Sequence, residues 1–226
     1  MAIFSTLIPE NFDELLTQAA ELINAGELAV VAAEYGYIYA ANAFDHDAVS
    51  RIHTLRGDPA YTACQVFVAE NDVLNGLASD FDGELKLLAD AFWPGLLSMH
   101  LMPHYGLNWD LGDGGELGEF VVRIPNRDFL RALARKTGPL AVGSAAIVGR
   151  GPTREIQFVP AIESSIAIYI DEGDLPEGPA STLIRRKILG TPGGLELVRA
   201  GAISLEELQS ILPSLTVHAP DSPPVN

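Results

Sequence analysis

The sequence predicts an α/β fold, a sheet covered by helices, and three observations carry that prediction. Helical and extended apolar patterns alternate along the chain. The 226 residues are 48% hydrophobic, enough to bury one sizeable core. No central stretch has the composition of a linker. A single domain over 1–212 is therefore expected, followed by a disordered, Pro-rich tail over 213–226.

Phe12, Leu15, Leu16, Ala19, Leu22 and Ile23 fall at helical spacing, and Gly26 supplies a stop. The run "ELAVVAAEYGYIYAANA" reads as two extended segments broken near Glu34 and Gly36. Asp45 or Asp47 can cap a helix through Val49, Ile52 and Leu55, ending before "RGDP". A strand around "CQVFVA" follows, then helical patterns near 71–79 and 82–92. "LLSMHLM" and "EFVVRIP" are strands separated by an acidic, glycine-rich loop. "NRDFLRALARKTG" is an amphipathic helix with Asn126 as its cap and Gly138 as its stop. "PLAVGSA", "SIAIYID" and "STLIRR" are further strands, and "SLEELQSIL" is a short helix capped by Ser204.

Composition excludes several classes of function. Fourteen basic against thirty acidic residues give a net charge of −16, which opposes nucleic-acid binding. Eleven of the basic residues are Arg, the better fork for carboxylate or phosphate, so a few could line one anion pocket. No apolar run approaches the roughly 18 residues of a membrane span. The N-terminal stretch lacks a basic start and a cleavable apolar segment, so no signal peptide is expected. Cys64 is the only cysteine, which suits a reducing cytoplasm. It sits in an apolar strand and reads as a core thiol. His100 and His104 have no obvious third ligand, and no metal site is expected.

The stretch "PLAVGSAAIVGRGPT" raises the sharpest chemical question. It is either a buried strand with a Gly turn, or a strand that brings Ser144 and backbone N–H groups to a phosphate. Five segments in order bear on the choice: "FWPGLLSMHL", "VVRIPN", "PLAVGSAAIVGRGPT", "STLIR" and "LVRAGAI". They resemble the W-P-G-P-L-T, R-x-P, S-A-N with S-P-T, S-T-V-V and L-R-x-G-x-I segments of the YrdC/YciO family. Its best-known members are L-threonylcarbamoyladenylate synthases, which use threonine, bicarbonate and ATP in modifying tRNA adenosine 37. The resemblance runs from about Gly26 to Leu208. It implies a twisted mixed sheet flanked by helices, with a large concave pocket. It also implies ATP as a substrate with Mg²⁺, a small-molecule amino-acid partner, and no tightly bound cofactor.

Carried over residue by residue, the resemblance assigns nucleotide or substrate contacts to Glu34, Tyr37, Arg56, Asp58, Ser144, Ala146, Arg150, Ser181, Thr182 and Arg199. Several positions depart from the family pattern. Ala33 and Tyr35 stand where it has threonines, and "RGDP" replaces K-G-R-P, so Asp58 takes the place of a cation. Ala146 replaces the asparagine of S-A-N. At 4–6 Å and an effective dielectric near 20, each unit of charge is worth about 3–4 kcal/mol, so Asp58 would oppose a triphosphate. Three outcomes stay open. Arg150 or Arg154 supplies the missing charge, the substrate has changed, or only the scaffold remains. The expected activity is accordingly threonylcarbamoyl-AMP synthesis or a related adenylyl transfer. The alternative is a non-catalytic ligand-binding or regulatory module.

Overall fold

Successive side chains of a strand point to opposite faces of its sheet, and here both faces are apolar. The computed structural model describes residues 2–116, 118–161, 165–187 and 194–217. Its strands are β1 (Ile3–Thr6), β2 (Ala29–Ala32), β3 (Tyr37–Asn42), β4 (Gln65–Phe67), β5 (Leu97–Leu101) and β6 (Phe120–Arg123). They continue as β7 (Leu140–Ser144), β8 (Ile168–Asp171), β9 (Thr182–Arg186), β10 (Leu195–Arg199) and β11 (Thr216–Val217). The helices are α1 (Phe12–Asn24), α2 (His46–Arg56), α3 (Leu74–Leu77), α4 (Gly83–Phe92), α5 (Asp128–Thr137) and α6 (Leu205–Ile211).

All described strands join one mixed sheet in the order β1-β8-β2-β3-β7-β4-β6-β5-β9-β10-β11. On the first face, Val30, Tyr39, Ala141, Val66, Met99 and Val122 pack with Ile52, Leu74, Leu88 and Leu208, so α2, α3, α4 and α6 cover it. On the second face, Val31, Ala40, Val142, Phe67 and Ile170 pack with Leu16, Ile23, Leu130 and Leu133 of α1 and α5. That second layer stops at Phe67. Beyond it the same face carries Ser98, Arg123 and Ser181, with no residue of α1 or α5 packed over them. A helix-free half of one sheet face is what leaves room for a cavity.

Local chemistry fixes several element ends. Asp45 Oδ1 accepts from the Ala48 N–H at 2.9 Å. Ser204 and Glu207 form a reciprocal capping box on α6. Asn126 does not cap α5. That helix starts at Asp128, and the Asn126 N–H instead donates to Glu34 Oε1 at 2.8 Å. The pattern near 71–79 is shorter than expected, a 3₁₀ turn at Asn71–Val73 followed by the four-residue α3. No helix among the described residues is long and apolar enough to cross a membrane.

The expected boundary at residue 212 moves. Leu215 is only 1% exposed, and β11 pairs in parallel with β10 through Glu196–Thr216 and Leu197–Val217. A buried leucine and free strand edge give this short segment what its polar composition does not suggest. The rest of the expected tail, 218–226, lies outside the described residues. Leu215→Ala is expected to lower unfolding free energy by about 2–5 kcal/mol. Urea titration reads this directly, and a loss below about 1 kcal/mol would show that the segment does not dock.

Candidate functional site

Under the uncovered half-face lies a cavity of about 510 Å³. Its walls come from the β2–β3 turn, from β4 and β7, from the loop at 150–152 and from the loop at 178–181. These walls are in close contact. A Cβ on Gly36 would sit 2.7 Å from Pro152 Cβ, and one on Gly178 would sit 2.3 Å from Tyr35 Cζ. The absence of a side chain at both positions lets the rim close up.

Alternation decides which residues enter. In β7, Gly143 faces α2, where a Cβ would meet Arg56 Cδ at 2.8 Å and Ile52 Cγ2 at 2.9 Å. Ser144, one residue on, therefore faces the cavity, and it is among the lining residues. In β10 the alternation is broken on purpose by a bulge. Leu197 pairs with Ile184, but Arg199 rather than Val198 pairs with Leu183. The extra residue turns Arg199 from the core face to the face of Ser181. Its Nη2 donates to Ser181 Oγ at 3.0 Å and to the Ser181 carbonyl at 3.0 Å.

The lining charges are Glu34, Arg123, Arg150 and Arg199, a local excess of two positive charges in a chain of −16. Neither Arg150 nor Arg199 has a carboxylate partner among the described residues. Arg154, by contrast, pairs with Glu177 at 3.1 Å. Arg123 donates from Nη1 to Glu34 Oε1 at 2.7 Å and lies 4.5 Å over the Phe67 ring. Burial works to raise the Glu34 pKa, but the Arg123 guanidinium and the Asn126 N–H outweigh it. The carboxyl is held below its ordinary 4.5. Two atoms of this pair, Glu34 Oε2 and Arg123 Nε, are buried without a partner.

Of the residues the sequence singled out, Glu34, Tyr37, Ser144, Arg150, Ser181 and Arg199 line the cavity and Arg56, Asp58, Ala146 and Thr182 do not. Tyr37 points its ring into the first-face core, where its hydroxyl meets Asp171 Oδ1, the Gly173 carbonyl and the Glu172 N–H. Thr182 is fully buried and exchanges hydrogen bonds with the backbone of Ile203. Ala146 is buried in the turn after β7.

The expectation for "RGDP" is overturned in its geometry. Gly57 takes a left-handed conformation at the end of α2 and turns the chain back on the helix. Asp58 is thereby buried behind β7, where Oδ2 accepts from Arg56 Nε at 2.8 Å and contacts His53 Nδ1 at 2.9 Å. Arg56 Nη1 donates to the Ser144 carbonyl at 2.5 Å. The carboxylate is neutralised on the α2 side of the sheet and does not face the cavity. Cys64 lies beside the same cluster, buried, with its thiol pushed up to about 12 by that burial. It is a core thiol, as its strand pattern suggests.

The ring of backbone donors after Ser144 is largely closed. The N–H groups of Ala145, Ala146, Val148 and Arg150 bond to Tyr37, Ser144, Arg56 and Ile147 carbonyls. Side chains are therefore the cavity's main donors. Gln65 and Phe67, both lining, were legible only as alternate positions of a short strand. Arg123 carried one signal, a charge in an apolar strand that needs a partner.

The profile of the Sua5/YciO/YrdC family, described as telomere recombination, matches residues 21–201. A Mycobacterium tuberculosis protein, provisionally named a threonylcarbamoyl-AMP synthase, is 30% identical over 211 residues, 92% of this chain and 94% of its own. The threonylcarbamoyl-AMP synthase of Pyrococcus abyssi is 31% identical over 202 residues, 88% of this chain and 58% of that protein. Among solved structures, P. abyssi Sua5 complexed with L-threonine matches with a TM-score of 0.82 at 28% identity. That match covers 96% of this chain and 62% of the archaeal one. E. coli YciO, at 19% identity, shares the fold with a TM-score of 0.76 over 92% of this chain and all of its own.

Two predictions follow from the charge placement. Glu34→Gln leaves Arg123 buried without a counter-charge and is expected to cost about 3–5 kcal/mol at neutral pH. Because folding lowers the Glu34 pKa, its contribution is complete above 4.5 and lost as pH falls through the depressed folded value. Stability of the wild type should decline in that acid window, and the variant's should decline less. Urea midpoints from pH 7 to pH 3 measure both, and parallel curves would refute it. For Asp58→Arg, the new guanidinium would meet that of Arg56 behind β7 with no carboxylate between them. Loss of several degrees in melting temperature is expected, without tighter ATP binding.

Proposed function

Because the chain belongs to the Sua5/YciO/YrdC family, we propose that its cavity takes ATP and an amino acid and that the chain is a threonylcarbamoyl-AMP synthase. The observation that carries this reading is the convergence of Ser144, Arg150, Ser181 and Arg199 on one cavity with surplus positive charge. They come from three separate segments of an otherwise strongly acidic chain. Arginine forks and hydroxyl donors, unpaired by carboxylates, suit phosphate oxygens.

In the proposed reaction, the amine of threonine combines with bicarbonate to give a carbamate and water. A carbamate oxygen then forms a bond to the α-phosphorus of ATP. The bond from that phosphorus to the bridging oxygen breaks, and pyrophosphate leaves with the electron pair. Charge accumulates on phosphoryl oxygens during this step, and preorganised donors favour it most there. Arg199, held by Ser181, and Arg150 are the groups suited to that task. Mg²⁺ would enter with the nucleotide. No cluster of three or more His, Cys, Asp or Glu among the described residues fits a resident metal, so the ion's ligands would be phosphate oxygens and water. A cytoplasmic setting and a small-molecule partner belong to the same reading. The surface charge of −16 opposes nucleic-acid backbones.

One observation favours a second reading, a ligand-binding module without catalysis. Arg56, which the resemblance assigns to substrate, is engaged by Asp58 and the Ser144 carbonyl. Pyrophosphate release with ATP, bicarbonate and a panel of amino acids separates the two. Threonine-dependent release is expected, and Arg199→Ala should reduce it about tenfold or more, the worth of a hydrogen bond to a charged group. ATP binding without release for any amino acid would favour the second reading.

A further inference from the structure

Four side chains form a continuous hydrogen-bonded line along the cavity floor, and donor chemistry together with the burial of Ser98 gives its direction. Gln65 Nε2 donates to Ser98 Oγ at 2.8 Å. Ser98 Oγ donates to Ser181 Oγ at 2.8 Å. Arg199 Nη2 reaches the same Ser181 Oγ from the other side at 3.0 Å. An amide nitrogen and a guanidinium only donate, whereas a hydroxyl has one proton and two lone pairs. Ser98 is fully buried, and the only proton it owns goes to Ser181. Ser181 thus accepts twice, from Ser98 and from Arg199. Its own proton has no taker inside the line, and Ser181 lines the cavity.

We propose that Gln65 is a positioning residue which, by donating to Ser98, fixes the direction of this line so that Ser181 presents a proton, not a lone pair, to an anionic oxygen of the ligand. The inference rests on the nucleotide reading of the cavity and names the ligand group that this corner selects, a phosphate oxygen. The Ser181 hydroxyl and the Nη1 end of Arg199, which makes no bond among the described residues, then offer donors side by side. A ligand hydroxyl is not excluded from such a corner, but an oxygen that can only accept fits every group in it. Reversing the first bond would reverse the others. With an acceptor at position 65, Ser98 turns its proton toward it, Ser181 donates to Ser98, and the cavity receives a lone pair beside the phosphate.

The test is a double-mutant cycle on the full chain, with ATP and uncharged adenosine as probes in calorimetric titration. Gln65→Glu is expected to weaken ATP binding about tenfold or more and to leave adenosine binding within about twofold. Gln65→Met, similar in length and uncharged, removes the directing donor without adding charge and should weaken ATP by a smaller factor. In a Ser98→Ala background the line is cut, so Gln65→Glu should then have little further effect. An undiminished effect of Gln65→Glu in that background would mean charge repulsion alone and overturn the proposal. So would wild-type ATP affinity in both Gln65 variants. Failure of the wild type to bind ATP at all would instead remove the nucleotide reading, and the proposal with it. Thermal melts identify any variant that fails to fold, and Gln65→Met then carries the comparison.

Discussion

Successive side chains of a strand cannot share a face, and this constraint decides which charges of the chain meet the cavity and which are held behind it. Ser144 faces the cavity because Gly143 faces α2, and Gly143 must be glycine because the Arg56 side chain fills the space beside it. Ser98 and Ser181 share the cavity face, whereas Met99 and Ile184 belong to the opposite core. Every polar group of the site is therefore also a statement about an apolar neighbour one residue away. The site and the core are two sides of the same strands.

That arrangement accounts for how an acidic protein keeps a cationic pocket. The arginine behind the sheet is matched by Asp58, and the arginine at the turn end is matched by Glu34. Arg150 and Arg199 are left to give the cavity its charge. Long-range repulsion from a surface of −16 is screened over about 8–10 Å in physiological salt, whereas groups in a recess act at contact distance. A small anion entering the recess meets the local field first.

Much of the fold was legible because its signals are local. Asp45, Gly138 and Ser204 mark helix ends through their own hydrogen bonds or backbone angles. The strands β1, β10 and β11 were not read as strands, because elements of two to five residues owe their form to a partner found far along the chain. The site divided in the same way. Ser144, Arg150, Ser181 and Arg199 were identified from motif segments. Arg56 and Asp58 were assigned to the ligand because spacing in "RGDP" does not reveal that Gly57 folds the carboxylate back onto His53. Gln65 gave no signal beyond polarity in a short strand, since its meaning comes from Ser98, two strands away in the sheet order.

The bulge at the end of β10 makes the number of residues that enter the ladder matter as well as their identity. Leu197 and Arg199 pair with adjacent residues of β9, Ile184 and Leu183, so one residue in this segment exists only to change the count. Drawing it into the ladder, so that Val198 took the place opposite Leu183, would carry the guanidinium toward the layer of Leu195, Leu197 and Ile184. A charge there would find hydrocarbon in place of the Ser181 carbonyl. Among descendants of this sequence, loss of Val198 should by contrast be tolerated, because Arg199 would then follow Leu197 directly and keep the face of Ser181.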